Sequence, residues 1–236
     1  MIALPTSHAF LKKKSSGVTI FTPPYLTGLL MQIDVGRASS VWTDTARTAA
    51  ASLTNTVKGV SDFSGNNNHW SQASAPSAPT LQVSPTNSKN VLRFADGGTV
   101  TMNFTSGLST IRTIYWAINQ SAGNKASWNC FMLGDSSAYN FHANDTGQGC
   151  FTPSYSNVNV LHIDKTNVAI YTARPLTLKV VTAQTSGNTS ANRFSYDRSY
   201  QRSWEGDLAL LLIYSTLHSA GEMSATEDAI KTYLSI

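Results

Sequence analysis

The chain has 236 residues, 41% of them hydrophobic, which is enough for one sizeable core. Charged residues make up only 13%, against a usual share of about a quarter, so Ser, Thr and Asn carry solubility. The net charge of +4 gathers in Lys12–Lys14 and in Arg193, Arg198 and Arg202. With no nucleic-acid-binding signature beside them, these clusters read as solvated surface.

In chain order, residues 1–25 read as an extended arm. "LKKKSSG" is polar, and "FTPPY" forbids regular structure around Pro23 and Pro24. "MIALPTSHAF" interrupts its apolar residues with Pro5 and His8, so no signal peptide is expected there. No apolar run approaches the length of a membrane span, so a soluble protein made in a cytoplasm is expected. Residues 26–236 then read as one domain. "LTGLLMQID" and "SSVWTDTA" open it, followed by the dense turn sequence "DFSGNNN", Trp70 and a Ser/Ala/Pro-rich loop.

Strand signals come next at short intervals: "NVLRFAD", "GGTVTMNF", "IRTIYWAIN", "NCFMLGD", "NVLHID", "NVAIYTA" and "LTLKVVTA". There is neither a glycine fingerprint opening a helix nor a βαβ alternation, which argues against a nucleotide-binding fold. "GDLALLLIYSTL" is continuously apolar, as in a strand buried on both faces. The pattern then changes period. Ser219 and Glu222 form an S-x-x-E capping box, and Met223, Ile230, Tyr233 and Leu234 share a helical face. Glu227 is expected on an exposed turn of that helix. Cys130 and Cys150 are too few for a disulfide framework and lack metal-ligand spacing, so two buried thiols are expected.

Three segments carry a resemblance. Asp62, Ser64, Gly65, Asn66, Gln72, Pro79, Thr80 and Leu81 are similar to an Asp-x-Ser-Gly-Asn…Gln…Pro-Thr-Leu pattern. "NSKNVLRFADGGTVTM" resembles a strand returning to the core, with Arg93 and Phe94 in place. "SWEGDLALLLIYSTLHSAGEMSATEDAIKTYL" resembles a closing strand and capped helix. Together they resemble the concanavalin A-like lectin/glucanase superfamily, in the laminin-G-like form of bacteriophage and bacterial surface proteins. The resemblance implies an all-β, two-sheet antiparallel jelly-roll sandwich with one C-terminal helix. In that fold Asp62, Ser64 and Asn66 tie a surface turn to itself and Trp70 plugs its base, a reading preferred over a sugar-stacking platform.

The superfamily contains glycoside hydrolases, which need two nearby carboxylates. The resemblance implies Glu-x-Asp-x-Glu or Glu-x-Asp-x-x-Glu on one strand. Of three glutamates, only Glu205 stands beside an aspartate at that spacing, Asp207, and the third position holds no acid. His8, His69, His142, His162 and His218 lack metal-ligand spacing, and no G-x-S-x-G elbow is present. Asp135, Asn140, Asn144 and Asp145 offer hard oxygens, but without a recognised calcium order they read as turn residues. No enzyme, metal or cofactor is therefore expected.

A binding module is the stronger class. The long loop between Gly134 and Val158 concentrates polar and aromatic residues, and Tyr139, His142 and Tyr155 are its candidate ligand-binding residues. The resemblance implies a virion surface protein, a capsid decoration or tail component, assembled in the host cytoplasm. Its expected partners are other virion proteins reached through the arm, an oligomeric neighbour on the particle and host-surface polysaccharide, with no nucleic acid and no membrane insertion. The alternative is a glycoside hydrolase of the same fold.

Overall fold

The computed structural model describes residues 20–95, 99–121, 132–138, 140–142, 149–152, 156–196 and 203–236. Among the described residues eleven strands precede one α-helix: β1 (Leu29–Asp34), β2 (Val41–Trp42), β3 (Gly59–Val60), β4 (Trp70–Ser71), β5 (Thr80–Val83), β6 (Asn90–Phe94), β7 (Met102–Gln120), β8 (Val158–Ile163), β9 (Thr166–Val168), β10 (Lys179–Phe194), β11 (Gly206–Tyr214) and α1 (Ala220–Leu234). The chain is mostly β with one C-terminal helix, as expected. The arrangement of the strands differs from expectation. They form one antiparallel network with a barrel-like seven-strand path, β2-β3-β4-β7-β10-β8-β9, rather than two clearly separate sheets.

The reason lies in β7 and β10. "GGTVTMNF" and "IRTIYWAIN" were expected as two strands, but residues 102–120 run as one. β10 extends likewise from Lys179 to Phe194, and the two pair along most of their length, with register shifts after Gln184, Thr189 and Ala191. Such irregularities bend a ladder without ending it. The early part of β7 pairs with β4, and its later part pairs with β11. Hydrogen bonding therefore passes from one half of the molecule to the other unbroken. "NVAIYTA" yields only the edge strand β9, because the chain turns at once, with Thr172 N–H donating to Ala169 O at 2.8 Å.

β11 is buried along its whole length. Leu208, Leu211 and Ile213 face the larger core with Trp70, Trp116 and Phe94, while Ala209, Leu210, Leu212 and Tyr214 face α1. A register shift between Leu208 and Leu210 resets the alternation. Phe21, which precedes β1, is buried in the helix-side cluster, its ring 5.3 Å from that of Tyr233. No described helix is long and apolar enough to cross a membrane.

α1 forms where the sequence places it. Ser219 Oγ accepts from Glu222 N–H, and Glu222 Oε2 accepts from Ser219 N–H at 2.7 Å, so both halves of the capping box are present. Met223, Ile230 and Leu234 face the sheet. Glu227 corrects the expectation: it is 1% exposed, not on an outer turn, with its carboxylate 3.4 Å from His162 Nδ1. It lies four residues after Met223 and three before Ile230, on the buried face. Burial pushes its carboxyl above the usual range, opposed by Thr182, His162 and Lys165.

Candidate functional site

The Asn-rich turn is organised by Asp62. Its Oδ1 accepts from Gln32 N–H and Ser64 N–H, both at 2.9 Å, and its Oδ2 accepts from Ser64 Oγ–H at 2.7 Å and Asn68 N–H at 3.0 Å. Asn66 Nδ2 donates to Leu29 O and Leu30 O, so the turn is tied to β1 as well as to itself. His69 Nδ1 accepts from Asp62 N–H at 3.0 Å, which requires a neutral ring nitrogen there. Burial, with the Arg47 charge, lowers the His69 pKa accordingly. Trp70 is wholly buried, its ring stacked 5.5 Å from Phe104 and 5.3 Å from Phe194. It is a core residue with no face left for a sugar.

Of the three residues put forward for ligand binding, His142 is 4% exposed, and its carbonyl accepts from Thr152 N–H at 2.9 Å. Tyr139 and Tyr155 lie outside the described residues, as do Cys130, Asn144 and Asp145. The described parts of that loop are pinned to β10. Asn140 Nδ2 donates to Ser190 O and Ser190 Oγ, and Asn192 Nδ2 to Ser136 Oγ. Asp135 accepts from Ser137 N–H at 2.8 Å and Ser137 Oγ–H at 2.6 Å, the turn chemistry expected of it. Among the described residues no group of three or more His, Cys, Asp or Glu could hold a metal ion.

The two acids that stand at glycosidase-like spacing lie elsewhere, at the head of β11. Glu205 and Asp207 line a cleft of about 360 Å³ with Arg93, Asn119 and Ser121. Register places Asp207 opposite Arg93 of β6 on one side and Asn119 of β7 on the other, so three adjacent strands deliver these groups to one surface. Gly206 is required between the acids, because a Cβ there would overlap Asn119 O and the Trp204 ring.

Arg93 grips Asp207 in a fork, Nε to Oδ1 at 2.7 Å and Nη2 to Oδ2 at 2.9 Å. The aspartate side chain is 3% exposed and the arginine 45%. The hydrogen bond to Asp207 raises the Arg93 pKa further above its already high value. Asn119 Oδ1, shut off from water, has no hydrogen-bond partner among the described residues. The sequence points to Glu205, Asp207 and Arg93 but not to Asn119 or Ser121. The available signal was the change from apolar "IYWAI" to "NQS" at the end of β7.

These distances decide what the acids can do. A carboxylate with each oxygen bonded to one guanidinium is committed to that ion pair rather than to a second carboxylate across a glycosidic bond. Glu222 is committed to the helix cap and Glu227 is enclosed under α1. Glu205 thus has no second described glutamate or free aspartate beside it in the cleft. Compared with known protein families and with curated proteins, the chain finds no match in either.

Proposed function

We propose that this protein is a non-enzymatic virion surface component, a capsid decoration or tail protein, whose β domain binds glycans on a host surface. One observation carries the non-enzymatic part. The only acids at glycosidase-like spacing include Asp207, and Arg93 neutralises it through both oxygens. On this reading the domain is a concanavalin A-like jelly roll, its two sheets joined along the long strands β7 and β10. The two apolar clusters on opposite faces of β11 support that architecture.

The virion assignment rests on the sequence resemblance. In it, residues 1–25 anchor the protein to other virion proteins, copies associate on the particle, and no cofactor takes part. Removing residues 1–19 tests the anchor directly: incorporation into particles is expected to fail, and undiminished incorporation would reject it.

The ligand is tested by exposing the purified full chain to bacterial surface polysaccharides and analysing the same samples for products. Saturable binding without cleavage is the expected result. Released oligosaccharide would reject the non-enzymatic reading in favour of a glycoside hydrolase using Glu205, and absence of binding would reject the glycan-binding part.

A further inference from the structure

His218 stands where β7, β10, β11, α1 and the segment before β1 meet, next to the Ser219 cap of the helix. It is 4% exposed, with three tyrosine rings against it: Tyr214 at 4.3 Å, Tyr115 at 5.7 Å and Tyr25 at 5.8 Å. Its Nδ1 lies 2.7 Å from Tyr115 Oη. Its backbone is held as well: the N–H donates to Thr113 Oγ1 at 3.1 Å, and the carbonyl accepts from Gln184 Nε2 at 2.6 Å. Tyr214 Oη–H donates to Tyr25 O at 3.1 Å, which fastens the segment leading into β1 at the same point. From this convergence we infer that His218 is a proton-operated catch. Neutral, it ties Tyr25–Gly28 and the first turn of α1 to the sheet; protonated, it lets both loosen. The inference stands on this junction alone and is independent of the glycan and virion readings.

The surroundings favour the neutral ring. Burial pushes the Tyr115 and Tyr214 hydroxyls well above their ordinary pKa of 10, so both keep their protons. The catch assigns the ring proton to Nε2 and leaves Nδ1 to accept from Tyr115 Oη–H; a second ring proton removes that acceptor. The positive end of the α1 dipole also opposes a cation beside it. Glu222 is the charged group that acts on the ring, but it is exposed and Oε2 accepts from Ser219 N–H and Oγ–H. Tyr25 is the remaining ionisable neighbour, and β10 contributes the neutral Gln184.

Burial accordingly lowers the His218 pKa from 6.5, against a smaller opposing pull from Glu222. Loosening returns the ring to water and to its ordinary value, so taking up a proton favours release. The catch holds fully above about pH 6.5 and gives way as pH falls through the lower held value. Two acids farther along the helix's docking surface titrate in the opposite sense. Burial raises Glu227 and also Asp34, which accepts from Tyr233, so acidification strengthens their contacts. Release is therefore confined to the end of α1 that carries His218.

The test follows backbone-amide hydrogen exchange and the His218 ring resonance of the isotope-labelled full chain from about pH 7.5 to about pH 5, with exchange corrected for its intrinsic pH dependence. The amides of Leu29, Ser215, His218 and Met223 report the catch, because their hydrogen bonds lie in or beside the loosened parts. They are expected to exchange about tenfold faster at the acid end, roughly the loss of one hydrogen bond, with a midpoint that follows the ring's titration. The β7–β10 ladder should stay protected. His218→Gln keeps a side-chain acceptor for Tyr115 and cannot titrate, so the acid step should vanish. Tyr115→Phe removes the hydroxyl that favours a bare Nδ1, so the step should move to higher pH; it is also the second variant should His218→Gln fail to fold.

An acid step that survives in His218→Gln, or a midpoint unmoved by Tyr115→Phe, overturns the inference. So does unchanged exchange at all of the reporting amides. An equal rise across the β7–β10 ladder overturns it too, because that is unfolding of the whole domain rather than release of one junction.

Discussion

Two of the buried aspartates, Asp62 and Asp207, are held in opposite ways. Asp62 is 6% exposed and spends its oxygens on the amides of its own turn and of β1, with a serine hydroxyl. Asp207 is 2% exposed and spends its oxygens on a single guanidinium that reaches solvent beside an amide oxygen with no partner among the described residues. The first carboxylate is a closed local hub. The second is one side of an open polar surface. Burial alone therefore does not mark a functional acid; what its partners touch does.

Four measurements would break or sharpen that contrast. The largest effect is expected below the Asp62 turn. Trp70→Ala removes the ring stacked between Phe104 and Phe194, and urea unfolding should show a loss of about 4 kcal/mol. Asp62→Ala strands the amides of Gln32, Ser64 and Asn68, and the same assay should register about 3 kcal/mol. A loss under about 1 kcal/mol would mean that water replaces the carboxylate and the hub is not structural.

Arg93→Ala leaves the Asp207 carboxylate unpaired, but the arginine is half exposed and solvent screens part of the loss. About 2 kcal/mol is expected, clearly less than for Asp62→Ala. The reverse order would place the main structural role at the cleft.

The smallest effect is in pH. His69 and His218 have pKa values lowered from an ordinary 6.5, chiefly by burial. The unfolded chain therefore takes up protons first on acidification. Their contribution is full above about pH 6.5 and is lost as pH falls from there through the lower folded values. His69→Asn keeps an acceptor for Asp62 N–H and removes one titration. Melting curves from pH 7 to pH 5 should fall less steeply for it than for wild type. Equal slopes would show that His69 does not hold its neutral form in the folded state.

Much of this was legible locally. The helix could be read because its signals lie within one or two turns: Ser219 with Glu222, and Met223, Ile230 and Leu234 on one face. Glu227 was misplaced although its position carried the answer, since an acid between Met223 and Ile230 on the buried face needs an internal partner, and His162 lies beside it. The turn before Trp70 was also correctly read as a turn. The reach of Asn66 to carbonyls 36 and 37 residues away could not be, because nothing near Asn66 records which strand will lie beneath it.

The long strands failed for a related reason. "TSGLS" within β7 looks like punctuation, yet the segment continues as strand because β10 pairs with it across the bend. The cleft is the extreme case: Arg93, Asn119 and Asp207 come from three strands whose neighbourhood is a product of register, with Arg93 and Asp207 separated by 114 residues.

From sequence alone came the β-rich class, the terminal helix with its cap and the buried closing strand, because each depends on periodicity, propensity or short-range hydrogen bonds; the core role of Trp70 came from the family resemblance. Tertiary structure decided that the strands form one continuous network, that Glu227 is enclosed, and that Asp207 is held by Arg93 beside an open cleft. Those outcomes depend on which distant strands pair and in what register, and strand pairing is a long-range choice that no local pattern encodes.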